Sequence, residues 1–338
     1  MITPKQKEAA VELAKILNIP HGYILQALVM IEKKAAYWIR KVPKESGGER
    51  QIQKALRPLN TIQARKADLL YPYTISEKPE NNINHSFVAG RSHRTAILPH
   101  LQANAFFSFD IKDAFPSTRR KQVFFTLRMI KFPEIGFSEE VADLMAELIC
   151  YTPSGKPEDG FLPLGYTSSP CVFNLILRRT DDVLAGFAQK RGYQVSRYVD
   201  NFAISTTEER IPEIERKDAI RIVESLGRYN IPEEKTAYWE ARKGKVHFEF
   251  LKLVIEETKE GERVINVADE RLGKILWAIL GALEEKDYSK DTFASIRGKI
   301  SYLKSIYRRQ GLPLPEEISE PFAKLKAMRE GQLQNRLV

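Results

Sequence analysis

The chain has 338 residues, 43% hydrophobic and 29% charged, with Gly and Pro at 18 each. That suits one large domain or two to three subdomains around a continuous core, and it excludes a disordered, collagenous or fibrous protein. Lys+Arg 53 against Asp+Glu 44 gives a net charge of +9, concentrated at ten basic against three acidic residues from Ile31 to Lys66 and eleven against six from Lys286 to the end.

The stretch between these segments is slightly acidic. A basic, acidic, basic layout suits two arms that hold a polyanion over a centre that holds divalent cations; a solvated surface with no ligand gives the same counts. The longest apolar runs, such as Ile275 to Leu283, fall far short of the roughly 20 residues of a membrane span, and the start MITPKQKEAA lacks a signal-peptide pattern. A cytoplasmic protein with no membrane partner is expected. Cys150 and Cys171 cannot build a disulfide scaffold and lack zinc-site spacing, so both are expected as buried small hydrophobes. The five histidines are scattered without ligand or triad spacing.

In chain order, apolar residues at helical spacing through Ala9, Leu13, Ile16 and Leu17, then Ile24, Leu28, Ile31 and Ala35, predict helices over the first forty residues. Val42 to Ile52 carries a Gly-Gly turn between β-compatible residues and predicts a hairpin with Lys44 and Arg50 on its arms. Phe106 to Phe109 predicts a strand that ends in Asp110, with Ser117 or Thr118 capping a helix to about Ile130 and another helix from Ser138 to Cys150. A loop rich in Gly and Pro leads into Thr167-Ser168-Ser169-Pro170, which predicts the start of a long helix to about Lys190.

Tyr193 to Ser205 predicts a hairpin with Asp200 and Asn201 at its tip, followed by a helix from Ile211 to Tyr229 and a strand pair, Val246 to Glu256 and Arg263 to Val267. This order of strand, helices, hairpin, helix and strand is compatible with a ferredoxin-like antiparallel sheet backed by helices, an α+β fold. From Asp269 onward two apolar stripes, Leu272, Ile275, Leu276, Ile279 and Leu280, then Ile296, Ile300, Leu303 and Ile306, predict a separate basic helical bundle.

A carboxylate at a strand end and another at a hairpin tip could be brought side by side by adjacent strands. Hard oxygen ligands used sparingly suit Mg²⁺, and two such ions about 4 Å apart can activate a hydroxyl and neutralise a leaving pyrophosphate. Each aspartate alone reads more readily as a turn or cap residue. Asp181-Asp182, the only adjacent Asp-Asp pair, falls late in a helix where successive side chains diverge by about 100°, and it is expected at the surface.

The surrounding residues carry a resemblance. Phe107-Ser108-Phe109-Asp110-Ile111-Lys112-Asp113-Ala114-Phe115-Pro116-Ser117, Leu162-Pro163-Leu164-Gly165-Tyr166-Thr167-Ser168-Ser169-Pro170 and Arg197-Tyr198-Val199-Asp200-Asn201-Phe202 look like motifs A, B and C of reverse transcriptases. Lys44 to Ile52 is similar to the fingers motif, Asn230 to Thr236 to motif D, and Phe248 to Leu253 to the primer grip of motif E. Among bacterial branches, retrons and group II introns and their solitary relatives are nearest. Thr95 to His100 partly resembles the Asn-Ala-x-x-His pattern of retron enzymes, whereas their Val-Thr-Gly signature is not found near the thumb.

The resemblance implies a right-hand polymerase: an N-terminal helical segment (1–38), fingers (39–104), a palm with a ferredoxin-like sheet (105–257, with about 131–162 contributing to the fingers) and a helical basic thumb (258–338). It leaves no room for maturase, endonuclease or ribonuclease H domains. The implied activity is RNA-directed DNA synthesis, a nucleotidyl transfer that adds dNTPs to a DNA or RNA primer on an RNA template. Asp110, Asp200 and the Ile111 carbonyl would hold two Mg²⁺ ions, or Mn²⁺. Lys44 and Arg50 would meet the triphosphate, Asp113 and Ala114 would belong to the substrate-binding residues, and Phe115 would lie beneath the sugar as the gate against a 2′-hydroxyl. Gly165 and the helix start at Ser168 would let backbone approach the nascent pair, and Lys235 would act as acid toward pyrophosphate.

Two residues depart from the family pattern: Asn201 replaces the second acid of Tyr-x-Asp-Asp, and Leu164 replaces the Gln of Pro-Gln-Gly. Asn201 could still offer a neutral oxygen to metal or primer end. The loss of a negative charge predicts a raised metal requirement or a preference for Mn²⁺. It also motivates two alternatives, a catalytically impaired scaffold that binds nucleic acid, and a template-independent or protein-primed DNA polymerase in antiphage defence. A viral-type RNA polymerase is disfavoured by Phe115. Protein partners are not specified by the sequence.

Overall fold

The computed structural model describes residues 2–44, 47–75, 81–130, 137–242 and 246–335. Along them run α1 (Pro4–Leu17), α2 (His21–Glu32), β1 (Tyr37–Pro43), β2 (Glu49–Ala55), α3 (Leu59–Leu70), α4 (His93–Ile97), β3 (Ala105–Asp110), α5 (Ala114–Ser117), α6 (Arg120–Met129), α7 (Glu139–Ile149) and α8 (Ser169–Gln189). They continue through β4 (Gln194–Tyr198), β5 (Asn201–Thr206), α9 (Glu213–Gly227), β6 (Thr236–Glu240), β7 (His247–Phe250), β8 (Leu253–Glu257), β9 (Arg263–Val267), α10 (Asp269–Glu284), α11 (Lys290–Tyr307) and α12 (Glu316–Asn335).

Local chemistry sets these boundaries. The Ser138 hydroxyl accepts from the Val141 amide, which satisfies an otherwise orphaned donor at the start of α7. Pro170 stands in the first turn of α8, where its missing N–H costs nothing. Strands β1 and β2 pair antiparallel with Val42 opposite Arg50; Gly47 and Gly48 supply the positive φ of the turn, and the tip at 45–46 lies outside the described residues.

The four-stranded sheet has the order β4-β5-β3-β6, and β7-β8-β9 form a separate sheet of three strands. With helices between β3 and β4 and between β5 and β6, this is the ferredoxin-like arrangement expected from the sequence, but its fourth strand is β6 and not the predicted strand at Val246 to Glu256, which belongs to the three-stranded sheet.

The chain divides into two compact units. The first comprises residues 1–90, 109–202 and 212–237, and the strand ends at 109–110 and 201–202 fall within it. Here α8 packs on β4 and α9, and α1, α3 and α7 pack together. Phe109 and Phe202 stack with ring centroids 5.0 Å apart, both nearly fully buried. Each such burial is worth about 1.5–3 kcal/mol, so the stack anchors β3 against β5 just behind their polar ends. The second unit comprises residues 91–108, 203–211 and 238–338. Its core gathers Phe106 against Phe248 and Phe250, with buried His100 edge-on to Phe106 and bonded through Nδ1 to the Ser205 hydroxyl.

Several expectations are corrected. The single strand Val246 to Glu256 is two strands, because Leu251 and Lys252 both adopt positive φ and turn β7 back onto β8. Thr118 does not cap a helix: its hydroxyl donates to the Ala114 carbonyl and meets the Tyr229 hydroxyl, and α6 starts at Arg120. Strand β6 follows directly from the Lys235 segment, and β1 begins within the first forty residues. On α10 the buried stripe is Leu272, Ile275, Ile279 and Ala282, while Leu280 is exposed. Asp181 is not at the surface. It is buried and ion-paired to Arg197, because only Asp182 of the pair projects away from the α8 stripe of Leu177, Leu184, Ala185 and Ala188. Both cysteines are buried free thiols, each pushed up to about 12 by burial.

Candidate active site

Asp110 ends β3, and Asp200 sits in the tight turn between β4 and β5, the strand next to β3. The Ile111 amide donates to the Asp200 carbonyl over 3.1 Å, which locks the two carboxylate-bearing segments together. Lys235 Nζ donates to Asp110 Oδ2 over 2.8 Å, and Asn201 Nδ2 donates to Asp200 Oδ1 over 3.0 Å. Asp110 Oδ1 is buried with no hydrogen-bond partner. A buried carboxylate oxygen left open beside a second acid has the chemistry of a cation ligand.

The electrostatics agree. Burial, then repulsion from Asp110, push the Asp200 carboxyl up to about 6, against the Asn201 amide and the Lys235 charge. The hydrogen bond to Asp110 pushes the Lys235 ammonium above its ordinary range and keeps it charged. The donor set fits a divalent cation held by few protein oxygens. Among the described residues no group of three or more His, Cys, Asp or Glu gathers in a ligand-like cluster, and beside Asp110 and Asp200 position 201 contributes an amide.

Around this pair the sequence-predicted residues arrange as follows. Asp113, at positive φ, accepts an ion pair from Lys44 at 3.1 Å, so the end of the β1–β2 hairpin reaches the segment after β3. The Lys112 amide donates to the Asn230 carbonyl, which ties that segment to the chain before Lys235. Ala114 is buried, and Phe115, half-buried, stacks on Phe173 with centroids 5.0 Å apart. Arg50 lies exposed on β2. Gly165 has φ +103°, and a Cβ there would fall 2.7 Å from the Gln53 carbonyl oxygen; beside it the Gln53 amide donates to the Leu164 carbonyl over 2.7 Å. Ser168 is fully buried, backbone included, and its hydroxyl donates to Gln63 Oε1.

Sequence reasoning missed Arg197 and Asp181. The sequence held only part of the signal: Arg197 and Asp181 carry opposite charges on elements that flank one another in the chain, but which of Asp181 and Asp182 turns inward is settled by packing.

Residues 42–254 match the family described as reverse transcriptase (RNA-dependent DNA polymerase). That is well over half of the chain, and the chain belongs to this family. A curated relative, the retron Mx65 reverse transcriptase of Myxococcus xanthus, is 32% identical over 216 residues, which cover 61% of this chain and 48% of the relative. The retron Ec86 reverse transcriptase of Escherichia coli is 31% identical over 107 residues, 32% of this chain and 30% of that protein. The chain thus spans about half or less of these relatives' lengths. A solved structure of telomerase from Candida albicans with a TWJ fragment of telomeric RNA aligns with 86% of this chain and 54% of its own at a TM-score of 0.45 and 12% identity. Reverse transcriptases generally use divalent metal ions, and no described helix is long and apolar enough to cross a membrane.

Proposed function

We propose that the protein is an RNA-directed DNA polymerase that extends a DNA or RNA primer with dNTPs on an RNA template, in the cytoplasm. The observation that carries this reading is the placement of Asp110 and Asp200 at the joined ends of neighbouring strands, with Asp110 Oδ1 buried and without a hydrogen-bond partner. Asp110, Asp200 and the Ile111 carbonyl would hold the metal, two Mg²⁺ or Mn²⁺ ions. When bound, such ions supply Lewis-acid charge for hydroxyl attack and pyrophosphate departure.

The chain's own side chains do the rest. Lys44 would leave Asp113 for the triphosphate, an exchange of one exposed carboxylate for a more highly charged anion, and Arg50 would join it. Phe115, braced by Phe173, would press on the sugar of the incoming nucleotide and exclude a 2′-hydroxyl, with Asp113 and Ala114 supplying the backbone beneath it. Lys235 would hold a proton at Nζ beside the carboxylate pair and offer it to the leaving pyrophosphate. The backbone at Gly165 would face the nascent base pair. The β1–β2 hairpin and α3 would act as fingers, and α10 to α12 as a basic thumb.

A second reading, a nucleic-acid-binding scaffold without catalysis, is favoured by the amide at 201 alone. Primer extension on an RNA template with dNTPs, under Mg²⁺ and then Mn²⁺, separates the two. Extension that disappears in the double variant Asp110→Ala, Asp200→Ala is expected; absence of product from the unaltered protein with either metal establishes the scaffold.

A further inference from the structure

We infer that Arg197, clamped by Asp181, is a positioning residue: it fixes the left-handed backbone at Val199 and thereby the direction of the Asp200 carboxylate. The inference rests on the proposed function for its kinetic consequence, and on the structure alone for its geometry.

Arg197 is fully buried and spends its whole guanidinium on three partners. Nε and Nη2 donate to the two oxygens of Asp181 over 2.7 and 2.6 Å, a bidentate pair. Nη1 donates to the Val199 carbonyl over 2.8 Å and to Asn174 Oδ1 over 3.1 Å. The backbone is held as well: the Arg197 amide donates to the Ile83 carbonyl, and the His85 amide donates to the Arg197 carbonyl. The guanidinium therefore cannot shift without breaking contacts on α8 and at Val199, and the Arg197 backbone cannot shift without breaking those on the 83–85 segment.

Val199 needs such a restraint. Its φ of +58° places a β-branched residue in the left-handed region, which only a surrounding structure can impose. The Val199 carbonyl belongs to the peptide that precedes Asp200, and Arg197 pins it. The Asp200 carbonyl belongs to the peptide that follows, and the Ile111 amide pins it. With both flanking peptide planes fixed, the Cα–Cβ direction of Asp200 is fixed too. A buried ion pair is a poor source of stability compared with apolar packing of similar volume, so its presence under the turn calls for a role in geometry. Lysine could not replace the arginine, because one ammonium cannot span Asp181 and the Val199 carbonyl in fixed directions.

The test is Arg197→Lys in the full chain, with four measurements: single-turnover rate of dNTP addition per primer-bound enzyme, dNTP and primer–template half-saturation, hydrogen exchange of the 199–202 amides, and thermal midpoint. A misaimed carboxylate should lower the rate by about 10- to 100-fold while half-saturation changes by less than about threefold. Exchange at 199–202 should rise by roughly tenfold, with α8 protected as before. A lower midpoint with unchanged rate per bound enzyme, or an unchanged turn, overturns the inference. Should Arg197→Lys fail to fold, Asp181→Asn, which keeps the shape and one acceptor, is read by the same measurements and the same criteria, with smaller shifts expected. If the unaltered protein extends no primer, the proposed function fails, and exchange at 199–202 alone decides the positioning role.

Discussion

At Asn201 an amide donates to Asp200 where the family pattern has a second acid, so the site has one negative charge fewer with which to hold cations. Asn201→Asp should therefore lower the half-saturating Mg²⁺ concentration about tenfold, some 1.4 kcal/mol, and erase any preference for Mn²⁺. A metal titration of extension activity checks this, and an unchanged Mg²⁺ requirement counts against it. The same titration should depend on pH. Asp200 is held up to about 6, above its ordinary value of 3.8, so below pH 6 its proton competes with metal and above pH 6 the carboxylate is free to bind. The metal requirement should fall as pH rises from 5.5 to 7.5. For the metal-free protein the sign is opposite: the folded state holds that proton more tightly than the unfolded chain, so Asp200 erodes stability as pH climbs from about 4 to about 6.

At the scale of elements, a backbone hydrogen bond from the Gln53 amide to the Leu164 carbonyl joins the loop before α8 to strand β2. Gly165 has φ +103° and its Cα lies so close to β2 that a Cβ would meet the Gln53 oxygen and Ile52 Cγ2, each at 2.7 Å. Gly165→Ala combines a strained φ with a clash against the Gln53 carbonyl, which as backbone cannot rotate away, and it should cost about 2 kcal/mol or more in urea unfolding. A loss under about 0.5 kcal/mol would mean the two segments separate freely. The glycine's role is thus to let two backbones touch, which the sequence motif could indicate only as a need for close approach, not as the partner approached.

For the whole molecule, a net charge of +9 includes surpluses of seven and five positive charges in the two basic segments, and under the proposed function these make phosphate contacts a large part of the affinity for nucleic acid. If six or more phosphates are neutralised, binding of an RNA–DNA duplex should weaken by about 10³-fold between 50 and 200 mM salt. Fluorescence anisotropy at several salt concentrations measures this slope; a change of less than about threefold would remove the basic segments from the binding surface.

From the sequence by itself came most of the elements in order, without β6 and the division of β7 from β8, while Asp110 and Asp200 were singled out by their resemblance to motifs A and C. Strand endings, turn residues and helix caps are local, and the strand-helix-hairpin-helix-strand order admits few sheet topologies. The tight turn at Leu251-Lys252 escaped because neither residue is Gly, Asn or Asp; left-handed backbone there is imposed by the pairing of β7 with β8. Asp181 escaped for a related reason. Adjacent helical side chains point about 100° apart, so composition cannot say which of two aspartates turns inward; that was decided by a buried arginine on a strand that only tertiary packing brings alongside.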